Sequence, residues 1–179
     1  MSKTIKLSEV ENGKTFTVGE VEYIKVTEKD GVAAVVTRGI LFRSEFGENN
    51  NLSKSIISEQ LEKEFLPKVA EAIGEENICE FETDLTTLDG LKPYSVMKSK
   101  VSLPTVDFYR EHVEIFDTYK VDEWWWLATP ETAQPHYDPI WISCVSPRGS
   151  ISTGNCDIVR CVRPFLNFVS SILVSCEEE

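Results

Sequence analysis

Several common chemistries are missing from this chain of 179 residues. The opening stretch, Met-Ser-Lys-Thr-Ile-Lys-Leu-Ser-Glu, lacks the apolar core of a secretion signal. No apolar run approaches the roughly 18 residues that cross a bilayer, so no membrane segment is expected. The cytoplasm of the producing cell is the expected location. The five cysteines (Cys79, Cys144, Cys156, Cys161, Cys176) are odd in number and include no C-x-x-C pair, which argues against a disulfide framework. They are expected to be reduced and to act as small buried hydrophobes. Only His112 and His136 stand beside them, too few for a clustered tetrahedral zinc site. Neither a metal nor a cofactor is expected. Internal repeats and low-complexity segments are absent as well.

Basic residues are also scarce: 18 against 30 acidic ones, a formal net charge of -12. The imbalance is concentrated. Residues 45–89 hold twelve acids and three bases, so that quarter of the chain supplies nine of the twelve net negative charges. Such a balance disfavours binding to nucleic-acid phosphates. It attracts basic proteins, including those whose clefts normally hold DNA or RNA. An acidic surface that serves only to keep the protein soluble has the same composition.

What is present is a globular chain, 41% hydrophobic and 10% aromatic, long enough for one well-filled core. Residues 1–46 read as an N-terminal meander. Strand-like runs over 14–38 are separated by Gly19-Glu20 and Lys29-Asp30-Gly31, and Asp-Gly between such runs is a hairpin signal. Ile40 to Phe46 is a further extended piece, closed by Gly47 and the Asn49-Asn50-Asn51 cluster. Residues 53–74 read as an acidic helical region. Ser53 or Ser55 caps it, an apolar stripe runs through Ile56, Ile57, Leu61 and Phe65, and Gly74 stops it. Val96 to Leu103 is expected to be one strand and Val106 to Phe116 one short helix. Within the β-rich core over 96–176, Ser146-Pro147-Arg148-Gly149 turns a hairpin, and Pro164 to Val174 forms an apolar strand broken at Asn167. The run of glutamates over 177–179 is expected to fray.

The densest stretch is Trp124-Trp125-Trp126-Leu127. Neighbouring side chains of a strand face opposite ways, so Trp124 and Trp126 are expected in one layer and Trp125 in the other. A strand that loads both faces with indole is central, and these three are assigned to the core. Arg163 and Pro164 join them, with a buried guanidinium bonded to backbone carbonyls or a carboxylate, since a lone buried charge is too costly.

Trp125-Trp126-Leu127 with Pro130, followed by Val162-Arg163-Pro164, resembles a domain of unknown function common in gut Clostridia and their phages and mobile elements. Members of that family usually carry Trp-Trp-Leu-Arg-Ser-Pro and Gly-Val-Arg-Pro; here Ala128 replaces the arginine and Cys161 the glycine. The family is similar in pattern to the C-type-lectin-like fold of formylglycine-generating enzymes and phage receptor-binding proteins. The fold implied is α+β: a single domain, C-type-lectin-like, with two main helices on twisted, mostly antiparallel strands.

No constellation of nucleophile, base and oxyanion donors emerges, so the chain is read as a non-catalytic binding module of a phage or mobile element. The acidic face (Glu59, Glu62, Glu64, Glu71, Glu75, Glu76) is the first candidate surface. The Pro-rich loop residues His136, Tyr137 and Asp138 are the second, with Tyr94 and Tyr119 as further contact candidates. Such a module fits an inhibitor of a basic host protein, most concretely an anti-CRISPR protein that engages an RNA-guided DNA nuclease in the host cytoplasm. A receptor- or carbohydrate-binding domain is the alternative implied by the lectin-like pattern. An oxidase using Cys156 and Cys161 is a third reading, and a calcium loop around Glu131 and Asp138 is a weaker resemblance to true lectins.

Overall fold

The computed structural model describes residues 2–177. One tight hairpin forms where Asp30 and Gly31 both take positive φ (52° and 77°), the left-handed pair that a two-residue turn needs. This turn joins β3 (Val21–Lys29) to β4 (Val32–Thr37), and β2 (Thr15–Val18) pairs with β3 on the other side. The meander expected over residues 1–46 is therefore present only over residues 15–37. Residues 2–6 pair with the last strand, and residues 42–44 join a different sheet. Two later strands extend the sheet of the meander. β13 (Phe165–Val169) pairs with β4, and β14 (Leu173–Glu177) pairs with both β2 and the N-terminal β1 (Ser2–Lys6). The full order is β1-β14-β2-β3-β4-β13-β8, where β8 is Val101–Ser102.

A second sheet of five strands, β11-β10-β9-β12-β5, contains the tryptophan stretch. It comprises β5 (Phe42–Ser44), β9 (Trp125–Pro130), β10 (Trp141–Val145), β11 (Ile151–Asn155) and β12 (Arg160–Val162). All its pairings are antiparallel except β12 with β9, where Cys161 lies beside Trp125. A two-stranded ribbon of β6 (Phe81–Asp84) and β7 (Val96–Ser99) lies outside both sheets. The molecule is thus one α+β domain.

The helices close two hydrophobic clusters. α1 (Ile56–Gln60) and α2 (Leu66–Ile73) are joined without a break by a π-helical turn over Leu61–Phe65. Pro67 explains the wider turn: with no N–H it cannot bond the carbonyl of Lys63, and the amide of Leu66 reaches back five residues to Leu61 instead. Ser55 caps the start by accepting from the Ser58 amide (2.9 Å). The apolar stripe of this helix, including Ile57, Leu61 and Phe65, packs with Trp126 and Phe46 in the larger cluster. α3 (Val106–Glu111) and α4 (Val113–Thr118) close the smaller cluster around Trp125.

Several expectations need correction. Trp124 is not a core residue. It precedes β9, is 37% exposed, and lies under the Arg160 guanidinium (4.5 Å to the ring centre) rather than in a layer. Only Trp125 and Trp126 divide between the two clusters. The expected strand from Val96 to Leu103 is split at Lys100, because β7 serves the ribbon and β8 the large sheet. The expected helix from Val106 to Phe116 breaks at His112, whose backbone (φ −124°, ψ 26°) leaves the helical region. Asn167 does not break the last apolar run. It pairs in register with Ala34, and the chain turns at Ser170 and Ser171. Of the run over 177–179, Glu177 pairs with Ser2, and Glu178 and Glu179 lie outside the described residues.

The two tryptophans have distinct anchors. Trp126 is fully buried, donates Nε1–H to the Ser44 carbonyl (3.1 Å) and meets Phe46 edge-on. Trp125 packs against Tyr109 and Phe116, each with ring centres 5.8 Å away. We predict that Trp126→Ala lowers unfolding free energy by about 3–5 kcal/mol, the cost of emptying a large core site. Trp124→Ala should cost under about 1 kcal/mol, the scale of an exposed cation–π contact. Urea denaturation of both variants checks the difference, and equal losses would return Trp124 to the core.

Candidate functional site

The assigned acidic residues occupy one continuous segment. Glu59, Glu62, Glu64 and Glu71 project from the helical region, and Glu75 and Glu76 lie in the short 3-10 turn that follows Gly74. All six are exposed. They are not equivalent, however. Glu59 is paired with Lys63 one turn later, which holds its carboxyl below its ordinary value, and Glu75 faces Lys100 (3.3 Å). Among the described residues, Glu62, Glu64, Glu71 and Glu76 form no ion pair, so their charge is available to a partner.

The Pro-rich loop is anchored where the acidic helix begins. Asn50 is fully buried and donates Nδ2–H to the carbonyls of Thr132 (2.9 Å) and Trp141 (3.0 Å), while its amide bonds Pro139 (2.7 Å). Tyr94 donates its hydroxyl to Asn50 Oδ1 (2.7 Å). From the other side, Thr132 donates to Asp89 (2.7 Å), and contacts from Thr87 and Thr132 keep that carboxyl below its usual range. Immediately after Asn50, Asn51 caps the 3-10 turn Leu52–Lys54 that leads into α1. Loop root and helix start are therefore a single braced unit. Beyond that root, His136, Tyr137 and Asp138 are exposed, Tyr137 to 69%.

Tyr94 and Tyr119 do not belong with them. Both are half-buried, and Tyr119 donates its hydroxyl to the Gly13 carbonyl (2.8 Å), so each works as an internal brace. Sequence reading assigned Asn50 only to a turn. No periodicity marks it, since its role depends on residues some 80 to 90 positions away.

Arg163 lies between the two sheets, as its setting predicted. It is 1% exposed and donates Nε–H to the Thr37 carbonyl (3.2 Å) and Nη2–H to the Arg38 carbonyl (2.9 Å). Its guanidinium stacks over Trp125, 4.7 Å from the ring centre. Burial draws its pKa down to about 10, which leaves it charged at neutral pH. Pro164, also buried, accepts from the Thr37 amide (3.2 Å).

The cysteines form no disulfide. Cys156 packs in the larger cluster and Cys161 in the smaller one, so the structure does not assemble them as a pair. Burial is the first cause of the raised thiol pKa at Cys144, Cys156 and Cys161, and at Cys161 the Glu123 carboxylate adds to it, pushing the value up to about 12. Cys161 donates its S–H to Glu123 Oε2 (3.0 Å), and Arg43 holds the same carboxylate from outside, lowering it to about 2. A thiol so placed is a hydrogen-bond donor rather than a nucleophile. Glu131, assigned to a calcium loop, instead accepts from Thr153 (3.3 Å). Among the described residues, no group of three or more His, Cys, Asp or Glu side chains is placed to hold a metal ion, and no helix is long and apolar enough to cross a membrane.

A cleft of about 850 Å³ opens beside the acidic helix. One wall is the helix itself, with Gln60, Glu64, Phe65 and Glu71; the other is the Gly19-Glu20 turn together with Phe42 and Arg43 of β5.

Native-state alkylation tests the thiol chemistry. We predict that iodoacetamide at mildly alkaline pH labels the half-buried Cys79 and Cys176 and spares Cys144, Cys156 and Cys161, as read by intact mass. Rapid labelling of Cys161 would reveal an accessible thiolate and reopen a thiol mechanism. Comparison with known proteins supplies no further assignment: no family model, curated protein or solved structure matches this chain.

Proposed function

We propose that this chain is a non-catalytic protein-binding module of a phage or mobile element, acting in the host cytoplasm as an acidic inhibitor of an RNA-guided DNA nuclease. The observation that carries the reading is the set of exposed, unneutralised carboxylates Glu62, Glu64 and Glu71 on the helical segment and Glu76 in the turn that follows it, within a chain of net charge -12. The nucleic-acid channel of such a nuclease is strongly positive, and exposed carboxylates on a partner steer association with it. The exposed loop residues His136, Tyr137 and Asp138 supply a second contact beside this face, with Asn50 fixing their root. Preorganisation of both reduces the entropy lost on binding.

The finer fold assignment, C-type-lectin-like, belongs to the same proposal and draws support from the Trp-Trp-Leu strand and the Val-Arg-Pro crossing. It carries a second reading, a receptor- or carbohydrate-binding phage domain. That reading is favoured by the exposed indoles Trp124 and Trp141 (37% and 42% exposed), the ring type on which sugars stack.

Co-purification from bacterial lysate containing a guide-loaded CRISPR nuclease tests the inhibitor. The expected result is salt-sensitive capture of the nuclease with loss of target cleavage. Charge reversal at Glu59, Glu62 and Glu64 should weaken capture and flatten its salt dependence, with Glu59 contributing least because Lys63 already neutralises it. Unchanged affinity across that series would remove the acidic face from the interface. Absence of the nuclease together with binding on a glycan array would favour the lectin reading.

A further inference from the structure

The cleft beside the acidic helix contains two polar groups that the protein does not satisfy. Tyr23 lies at its floor, fully buried, stacked on Phe16 (5.6 Å) and met edge-on by Phe168 (5.4 Å). Its hydroxyl has no hydrogen-bond partner. Gln60 belongs to the wall, and its buried Oε1 is likewise without a donor. Native structures rarely leave one such group buried, because each costs the hydrogen bonds it would make in water. Two in one cleft point to a missing occupant.

The surroundings specify that occupant further. Val18, Val21, Leu41, Phe42, Phe65 and Val69 give the cleft an apolar lining, and its volume of about 850 Å³ is that of a small-molecule site. Three carboxylates, Glu20, Glu64 and Glu71, stand against two bases, Lys68 and Arg43. Arg43 is already committed to Glu123, to which its Nε–H donates (2.8 Å). The residual charge is negative. The π-helical turn over Leu61–Phe65 lies immediately after Gln60, and its residues Glu64 and Phe65 line the cleft wall.

We propose that this cleft binds a small amphipathic cation: an apolar or aromatic body carrying a hydroxyl or carboxamide for Tyr23 and Gln60, and an ammonium group for the acidic rim. The Tyr23 hydroxyl, kept protonated by burial, donates to the ligand oxygen. The ligand N–H or O–H donates to Gln60 Oε1. The ammonium sits among Glu20, Glu64 and Glu71. This site shares Glu64 and Glu71 with the acidic face, but Tyr23 and Gln60 lie outside the contacts proposed for a protein partner, so the inference stands whether or not a nuclease is that partner.

The test uses the full chain, labelled with nitrogen-15, and two probes that share a ring but differ in charge. L-Phenylalaninamide carries the ammonium and the carboxamide; N-acetyl-L-phenylalanine carries an anion. Phenylalaninamide should give saturable amide shifts at Gly19, Phe42, Gln60 and Val69, and the anionic probe should bind roughly tenfold more weakly or not at all. Tyr23→Phe should weaken phenylalaninamide by about tenfold, the worth of one hydrogen bond to a buried group. The same substitution should leave the melting temperature of the free protein unchanged or raised, since it removes an unsatisfied hydroxyl. Gln60→Met provides the parallel loss should Tyr23→Phe disturb folding. No saturable shift with phenylalaninamide, equal binding of the anion, or unchanged affinity in both variants would each overturn the proposal.

Discussion

Arg163 is held by the carbonyls of Thr37 and Arg38 and by the face of Trp125, and both sheets depend on that arrangement. Thr37 ends a strand of the seven-stranded sheet; Trp125 begins the central strand of the five-stranded one. Two of the chain's passages between the sheets, at Arg38 to Leu41 and at Arg163 to Pro164, meet here. The two passages are bonded side by side, Thr37 N–H to Pro164 and Leu41 N–H to Val162. A guanidinium is suited to this position because its planar fork bonds two adjacent carbonyls while its face stacks on an indole. A lysine ammonium offers no such plane. Desolvation of the charge works against folding, and the fork and the stack offset it.

The binding surfaces inherit their rigidity from the same construction. The Pro-rich loop and the acidic helix are surface features, yet the loop is rooted in Asn50, a buried side chain held by Tyr94, and the turn that leads into the helix is capped by the adjacent Asn51. Thr129 extends this pattern to the smaller helices by accepting from the Val106 amide (2.9 Å), so the irregular end of β9 positions the start of α3. The register shift between Ile142 and Cys144 accommodates it: Cys144 lies opposite Trp126, whereas Ile142 lies opposite Pro130. A strand paired without a bulge would not leave Ala128 free to bond Pro104.

Elements with a local cause were legible in the sequence. Asp30-Gly31 declared its hairpin, Ser55 and Gly74 bracketed the acidic helical region, and the burial of Arg163 followed from the cost of an isolated charge. What was not legible depended on distant partners. The N-terminal strand over residues 2–6 has no burial alternation, being exposed at four of five positions, and exists because β14 pairs with it. Trp124 has the composition of a core residue and the location of a rim residue, a distinction only the strand boundary makes. The cleft was invisible for the same reason. Tyr23 reads as an ordinary inward strand residue, and nothing local records that its hydroxyl would find no partner.

The placement of β14 between β1 and β2 has a consequence for biosynthesis. As the ribosome releases the chain, β2, β3 and β4 can pair at once, because tight turns connect them. β1 cannot join them, since the strand that separates it from β2 is made about 155 residues later. The large sheet therefore waits, open at β2 and β4, until the last strands emerge, and those exposed edges are where a nascent chain would associate with others. A truncation that removes β14 takes away more than an end. It detaches β1 and leaves β2 as a bare edge, so the N-terminal strand is made first and secured last.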